Sequence, residues 1–168
     1  MSRFGFSRFF QRNSGQDAQA TKEVEESSSA SGERLKPNPG TKVLIVDDSK
    51  TIQLVLTRLL NRQGYESLSA YDGESAIELA KVHKPALILM DVVMPGLNGF
   101  QATREIRKDV DPKVANIPVI IMSGNAQPTE EFWSVKIKAN GFMAKPFSDE
   151  ELFSRMEALI YPHATDVG

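Results

Sequence analysis

The sequence predicts a doubly wound α/β fold, a parallel sheet covered by helices on both faces. Three observations lead there. Short apolar runs alternate with stretches of helical period between Thr41 and Ile160. The central runs, Val43-Leu44-Ile45-Val46 and Ala86-Leu87-Ile88-Leu89-Met90, are continuously apolar, the pattern of strands buried on both sides. Acidic residues, Asp47-Asp48 and Asp91, close those two runs, and open α/β sheets place their ligand sites at that carboxyl edge.

The elements follow in order. Lys42–Asp47 reads as the first strand. Lys50–Gln63 reads as a helix, with Ser49 as N-cap and Ile52, Val55, Leu56, Leu59 and Leu60 on one face; Gly64 ends it. Tyr65–Ala70 is a second strand of alternating character. Asp72 caps a second helix, Gly73–Val82, carrying Ala76, Ile77, Leu79 and Ala80. Pro85 stops the chain before the third strand, Ala86–Asp91. A third helix spans about Gly99–Lys108, and Ile117–Met122 is the fourth strand. Pro128–Ala139 reads as a fourth helix with proline in its first turn, where Phe132, Val135 and Ala139 face the sheet. Trp133 and Ile137 then form a second apolar stripe, readable as a wide core face or as a partner surface. Phe142–Lys145 is a short fifth strand. Ser148 caps the last helix, Asp149–Ile160, with Glu151 placed for a capping box. Strands alternating with helices in this way imply right-handed crossovers, but periodicity alone does not order the strands.

Composition narrows the function. The chain has 168 residues, a net charge of -2 and a hydrophobic fraction of 40%, enough for one core and an appendage. Near-neutral charge offers no basic face for nucleic acid. No apolar run reaches the ~20 residues of a membrane-spanning helix. With no cysteine, disulfides, thiolate metal sites and cysteine nucleophiles are excluded. Residues 1–40 stand apart: Glu23–Gly32 is polar and low in complexity, reading as a disordered tether, and Pro37-Asn38-Pro39-Gly40 marks its end. The expected organisation is an extension over 1–40, a domain over 41–161 and a short flexible tail over 162–168.

Placing the polar residues on the predicted strands brings Asp47, Asp48, Asp91, Ser123 and Lys145 to one edge of the sheet. Singly, each would be a solvated loop residue; as a set they describe chemistry. Hard oxygen ligands without histidine or thiolate favour Mg²⁺ over zinc or copper. A carboxylate can attack phosphorus to give an acyl phosphate, provided charge on the phosphoryl oxygens is neutralised. A divalent cation, an ammonium and a hydroxyl can do so, casting Asp47, Asp48, Lys145 and Ser123 around Asp91 as acceptor.

Val46-Asp47-Asp48-Ser49, Met90-Asp91 with Met94-Pro95-Gly96, Ser123-Gly124 and Lys145-Pro146-Phe147 together resemble the CheY-like receiver domains of two-component response regulators. The likeness covers about Lys42–Ile160. It implies a flavodoxin-like sheet of order 2-1-3-4-5. It implies a phosphoryl acceptor at Asp91 that catalyses its own phosphorylation from a histidine kinase and slowly dephosphorylates itself. It further implies Mg²⁺ held by Asp47, Asp48, Asp91 and the backbone carbonyl of Val93. Ser123 then contacts the phosphoryl group, Lys145 pairs with it, and the Lys145-Pro146 bond is cis. Phe142, three residues before Lys145, stands where the family has a switch aromatic that alters the surface of the fourth helix, fifth strand and last helix. The wording from Val93 to Arg104, with Asp48-Ser49-Lys50-Thr51, is most similar to single-domain regulators of type IV pilus twitching motility. A phosphate sink or relay intermediate without its own output is the alternative. An aspartyl-nucleophile phosphatase of the haloacid-dehalogenase kind expects Asp-x-Asp where this chain has adjacent acids, and a nucleotide binder expects glycines there.

The likeness implies a bacterial cytoplasmic protein. Its start, Ser2–Arg12, has three arginines, four phenylalanines and no acid, a composition that suits docking on a membrane surface or in a partner groove. A disordered start with incidental aromatics is the competing reading.

Overall fold

A computed structural model describes residues 34–124 and 132–164. The predicted tether up to residue 33, the arginine–phenylalanine start and the first turn of the predicted fourth helix lie outside them. The strands are β1 (Lys42–Val46), β2 (Glu66–Ala70), β3 (Leu87–Asp91), β4 (Val119–Ser123) and β5 (Gly141–Ala144). The helices are α1 (Lys50–Arg62), α2 (Gly73–His83), α3 (Gly99–Arg107), a short α4 (Pro112–Ala115), α5 (Phe132–Ile137) and α6 (Asp149–Ile160). All strand pairs are parallel and the order is β2-β1-β3-β4-β5.

Period-two alternation divides the core between the two faces of the sheet. Leu44, Val46, Ile88, Met90, Val119 and Ile121 bury against Ala76 and Ala80 of α2, Ala102 and Ile106 of α3, and Ile137. Val43, Ile45, Leu87, Leu89, Ile120 and Met122 bury against Leu56, Leu59 and Leu60 of α1 and Leu152, Phe153 and Met156 of α6. Each fully buried aliphatic side chain contributes about 1.5–3 kcal/mol, so both faces must be covered to offset the entropy of ordering the chain.

The expected N-caps form, but of the capping box expected at α6 only the Ser148 half is made, and Glu151 Oε1 accepts from Arg155 Nε at 3.2 Å instead. Ser49, Asp72 and Ser148 accept hydrogen bonds from the amides of Ile52, Ser75 and Glu151. Asn98 and Gln101 make a reciprocal capping box at α3. Gly64 follows the end of α1 at φ 96°, a left-handed conformation that costs glycine nothing.

Three details depart from the periodic reading. Val55 is 55% exposed, and its place on the inner face of α1 is taken by Gln53, which is 2% exposed. The segment Phe132–Ile137 is wound more widely than an α-helix, with hydrogen bonds spanning five residues. That widening changes which side chains share a face: Val135, expected inside, is 67% exposed, whereas Ile137, on the second stripe readable as core or partner surface, is 2% exposed and belongs to the core. Finally, α4 was not legible, because a four-residue turn is too short to show a period.

Candidate functional site

The site is a product of register. Val46 of β1 pairs with Met90 of β3, so the next residues, Asp47 and Asp91, emerge side by side. Asp91 pairs with Met122 of β4, which places Ser123 one step further along; Ser123 pairs with Ala144, which places Lys145 one step beyond that. The amide of Lys145 donates to the carbonyl of Ser123 at 2.7 Å, tying the last two together. Carboxylate oxygens of Asp47, Asp48 and Asp91 all lie within 4.8 Å of one another.

The electrostatics are uneven. Asp47 and Asp91 are buried, while Asp48 is exposed. Lys145 Nζ donates to Asp47 Oδ2 at 2.8 Å and to Asp91 Oδ1 at 3.1 Å. The other oxygen of Asp47 accepts from the amide of Ser49 at 2.9 Å. Burial pushes the Asp91 carboxyl above its ordinary value; Lys145 opposes this and the neighbouring Asp47 reinforces it. Burial pulls the Lys145 ammonium down, but its bonds to Asp47 and Asp91 outweigh that and leave it raised. Two acids and one lysine therefore make a compact, net-negative centre, and the exposed Asp48 adds to its charge. Such a donor set, oxygen-only and open to solvent on one side, fits a divalent hard cation.

Two glycines let the loop after β3 approach closely. A Cβ on Gly99 would fall on the carbonyl oxygen of Asp91, and one on Gly73 would come within 2.6 Å of the Leu97 carbonyl oxygen. Gly99 also donates its amide to the carbonyl of Val92 at 3.0 Å. The start of α3 is thereby pinned against the strand that carries Asp91. Val93, two residues beyond Asp91, is 76% exposed. The Lys145-Pro146 bond is cis. Phe142 is half-buried on β5 and packs against the core of the α2–α3 face.

Every side chain that the sequence placed at the strand ends thus reaches the same edge of the sheet. Sequence reasoning passed over Gln53. Its amide nitrogen donates to the carbonyls of Ile45 at 3.1 Å, Asp47 at 3.1 Å and Ala70 at 2.6 Å. The available signal was its spacing: residues 53, 56 and 60 stand at i, i+3 and i+7, so a polar residue sits within an apolar stripe.

This sheet order and acid cluster define the receiver class of α/β proteins. Residues 43–157 match the response regulator receiver domain family, and the chain belongs to it. Membership brings two-component signalling with it. Protein PilH of Pseudomonas aeruginosa is 41% identical over 119 residues, spanning 71% of this chain and 97% of that protein. Among solved structures, the receiver domain of a Pseudomonas aeruginosa sensor histidine kinase, which has a magnesium ion coordinated in its active site cleft, matches with a TM-score of 0.65. Its identity is 31%, covering 72% of this chain and 98% of that one. Vibrio cholerae chemotaxis protein CheY4 matches with a TM-score of 0.65 at 28% identity, covering 71% and 98% of the two chains. Among the described residues no helix is long and apolar enough to cross a membrane.

Proposed function

We propose that the domain over residues 41–161 is a phosphorylation switch whose acceptor is Asp91. The observation that carries this reading is the position of Lys145 Nζ between the carboxylates of Asp47 and Asp91, at 2.8 and 3.1 Å, in a chain of the receiver family. In the transfer, an oxygen of Asp91 forms a bond to phosphorus. The bond between phosphorus and the kinase imidazole breaks, and its electron pair leaves on the nitrogen. Lys145 then exchanges part of its pairing with Asp91 for the incoming phosphoryl oxygens. Ser123 donates its hydroxyl to the same group.

Asp47, Asp48 and Asp91, with the backbone carbonyl of Val93, would hold Mg²⁺, which supplies positive charge to the phosphoryl oxygens when bound. Desolvation of Asp91 strengthens every such contact, because charge pairs interact more strongly away from water.

The readout we assign is a change in the face formed by α5, β5 and α6. Ser123 moving toward the phosphoryl group vacates space that Phe142 enters, altering that surface. By the resemblance of Val93–Arg104 and Asp48-Ser49-Lys50-Thr51 to single-domain twitching-motility regulators, the output lies in type IV pilus twitching motility or a related chemotaxis-like pathway. The domain works in the cytoplasm, and its arginine–phenylalanine start provides a docking element for a membrane surface or a partner.

The test is phosphotransfer from candidate phosphohistidine kinases to the wild type and to Asp91→Asn, with Mg²⁺ and with EDTA. Labelling of the wild type alone, abolished by EDTA, is expected; equal labelling of both chains refutes the acceptor assignment. Partner capture with beryllofluoride separates a switch from a phosphate sink, because a sink gains no partner other than the kinase.

A further inference from the structure

We infer that Gln53 is a positioning residue for the cation site, acting through the Asp47–Asp48 peptide plane. The inference rests on the reading of Asp47, Asp48 and Asp91 as cation ligands. Gln53 is 2% exposed and sits on the inner face of α1 between side chains of the apolar core. Its Nε2 meets three backbone carbonyls, those of Ile45, Asp47 and Ala70. Only one orientation of the amide is possible there, since its oxygen would repel all three.

That orientation has a cost. Gln53 Oε1 is left buried without a hydrogen-bond partner among the described residues. An unpaired buried acceptor is destabilising, and a methionine or leucine would fill the same space without it. Packing alone therefore does not account for a glutamine at this position. Its amide does something no apolar side chain can do: it holds the chain where the ladder runs out.

The last β1–β2 bond is from the Asp47 amide to the Ala70 carbonyl, at 3.1 Å. Beyond it, β1 leaves the sheet and its backbone loses the register that aims its side chains. Gln53 accepts that task. It binds the same Ala70 carbonyl and the Asp47 carbonyl together, so the strand end is clamped to β2 one residue past the ladder. The Asp47 carbonyl belongs to the peptide that joins the two acids. Fixing it sets the backbone from which the Asp47 and Asp48 carboxylates both project. The remaining constraints on Asp47 come from the Ser49 amide and Lys145, which hold its carboxylate and not its backbone.

Indirect supports of this kind change metal affinity by about 10–100-fold when removed. Isothermal titration of the full-length chain with Mg²⁺, at neutral pH, should show about tenfold weaker binding for Gln53→Met. Asp47→Asn should weaken binding as well, and adding Gln53→Met to Asp47→Asn should cost less than it does alone, because of the two carboxylates the clamp aims only that of Asp48 remains. A folded Gln53→Met that binds Mg²⁺ as the wild type does overturns the inference while leaving the acid cluster intact as the site. A wild type that does not bind Mg²⁺, or an Asp47→Asn that binds equally well, overturns the site and the inference with it.

Should Gln53→Met not fold, the wild type still decides. The side-chain amide signals of Gln53 in a ¹⁵N NMR titration with Mg²⁺ should move with the same midpoint as the backbone amide of Asp48. Gln53 signals that stay in place while Asp48 shifts overturn the inference.

Discussion

Replacing Lys145 with methionine removes a charge while keeping most of the bulk. The ammonium bridges carboxylates 2.8 and 3.1 Å away, and the side chains of Lys145, Asp47 and Asp91 are 24%, 2% and 10% exposed. Deleting one partner from a buried ion pair costs about 3–5 kcal/mol, because the remaining charge keeps its desolvation penalty. The lysine retains some contact with water, which places the loss near the lower end, about 3 kcal/mol. For a domain of this size that lowers the melting temperature by roughly 10 °C. Urea unfolding at neutral pH in EDTA measures the deficit.

The pH dependence has a definite sign. The folded value of Asp91 is raised above 3.8, so the native state holds that proton more tightly than the unfolded chain. Losing Lys145 raises it further. The deficit of Lys145→Met is therefore full at neutral pH and shrinks as pH falls from the variant's folded Asp91 value to the lower wild-type one, both above 3.8. From the lysine side, a raised folded value means its stabilisation is complete below 10.5 and is lost only as pH rises through the folded value above that. Saturating Mg²⁺ should recover part of the deficit by supplying positive charge to the same acids. A variant with the wild-type urea midpoint at neutral pH, or with a deficit that grows on acidification, refutes the reasoning.

Three further outcomes are expected. Arg107 donates to the carbonyls of Lys138, Ala115 and Ile117 and to Asn140 Oδ1 at 2.8–3.0 Å, so Arg107→Met should cost about 3 kcal/mol and speed amide hydrogen exchange around Asn140; unchanged exchange there counts against the clamp. Tyr65 stacks on Phe153 and burial pushes its phenol up to about 12, yet its hydroxyl has no hydrogen-bond partner among the described residues. Tyr65→Phe should therefore be neutral or stabilising by up to ~1 kcal/mol in urea unfolding, and a clear loss contradicts the assignment. Gly99→Ala drives a methyl group into the Asp91 carbonyl and should cost about 2 kcal/mol or more, read by thermal melting; a variant as stable as the wild type shows that the start of α3 is free to move.

Much of this molecule is written locally. Continuous apolar runs announced β1 and β3 as central strands, and Ser49, Asp72 and Ser148 announced helix starts, because period and capping depend only on residues a few positions apart. The acids at the ends of those runs announced the edge that matters. Gln53 did not announce itself. A glutamine within a helix reads as solvated until the carbonyls of Ile45, Asp47 and Ala70 are brought around it, and Ala70 is 17 residues away along the chain. Val135 faces outward, and Ile137, readable either way, is core, because the wide winding of α5 shifts the faces that a 3.6-residue period assigns.

The sequence by itself determined the class of fold, the alternation of elements and the residue types at the strand ends. Strand order was legible only through the resemblance of the strand-end motifs to receiver domains, and the sheet has that order; tertiary structure alone decided the register that sets Asp47 beside Asp91 and the reach of Lys145 across 98 positions to Asp47. The division has one cause. Backbone periodicity reports which side of an element is apolar, whereas convergence of charges depends on contacts between distant segments, whose energies exist only once the sheet has closed around them.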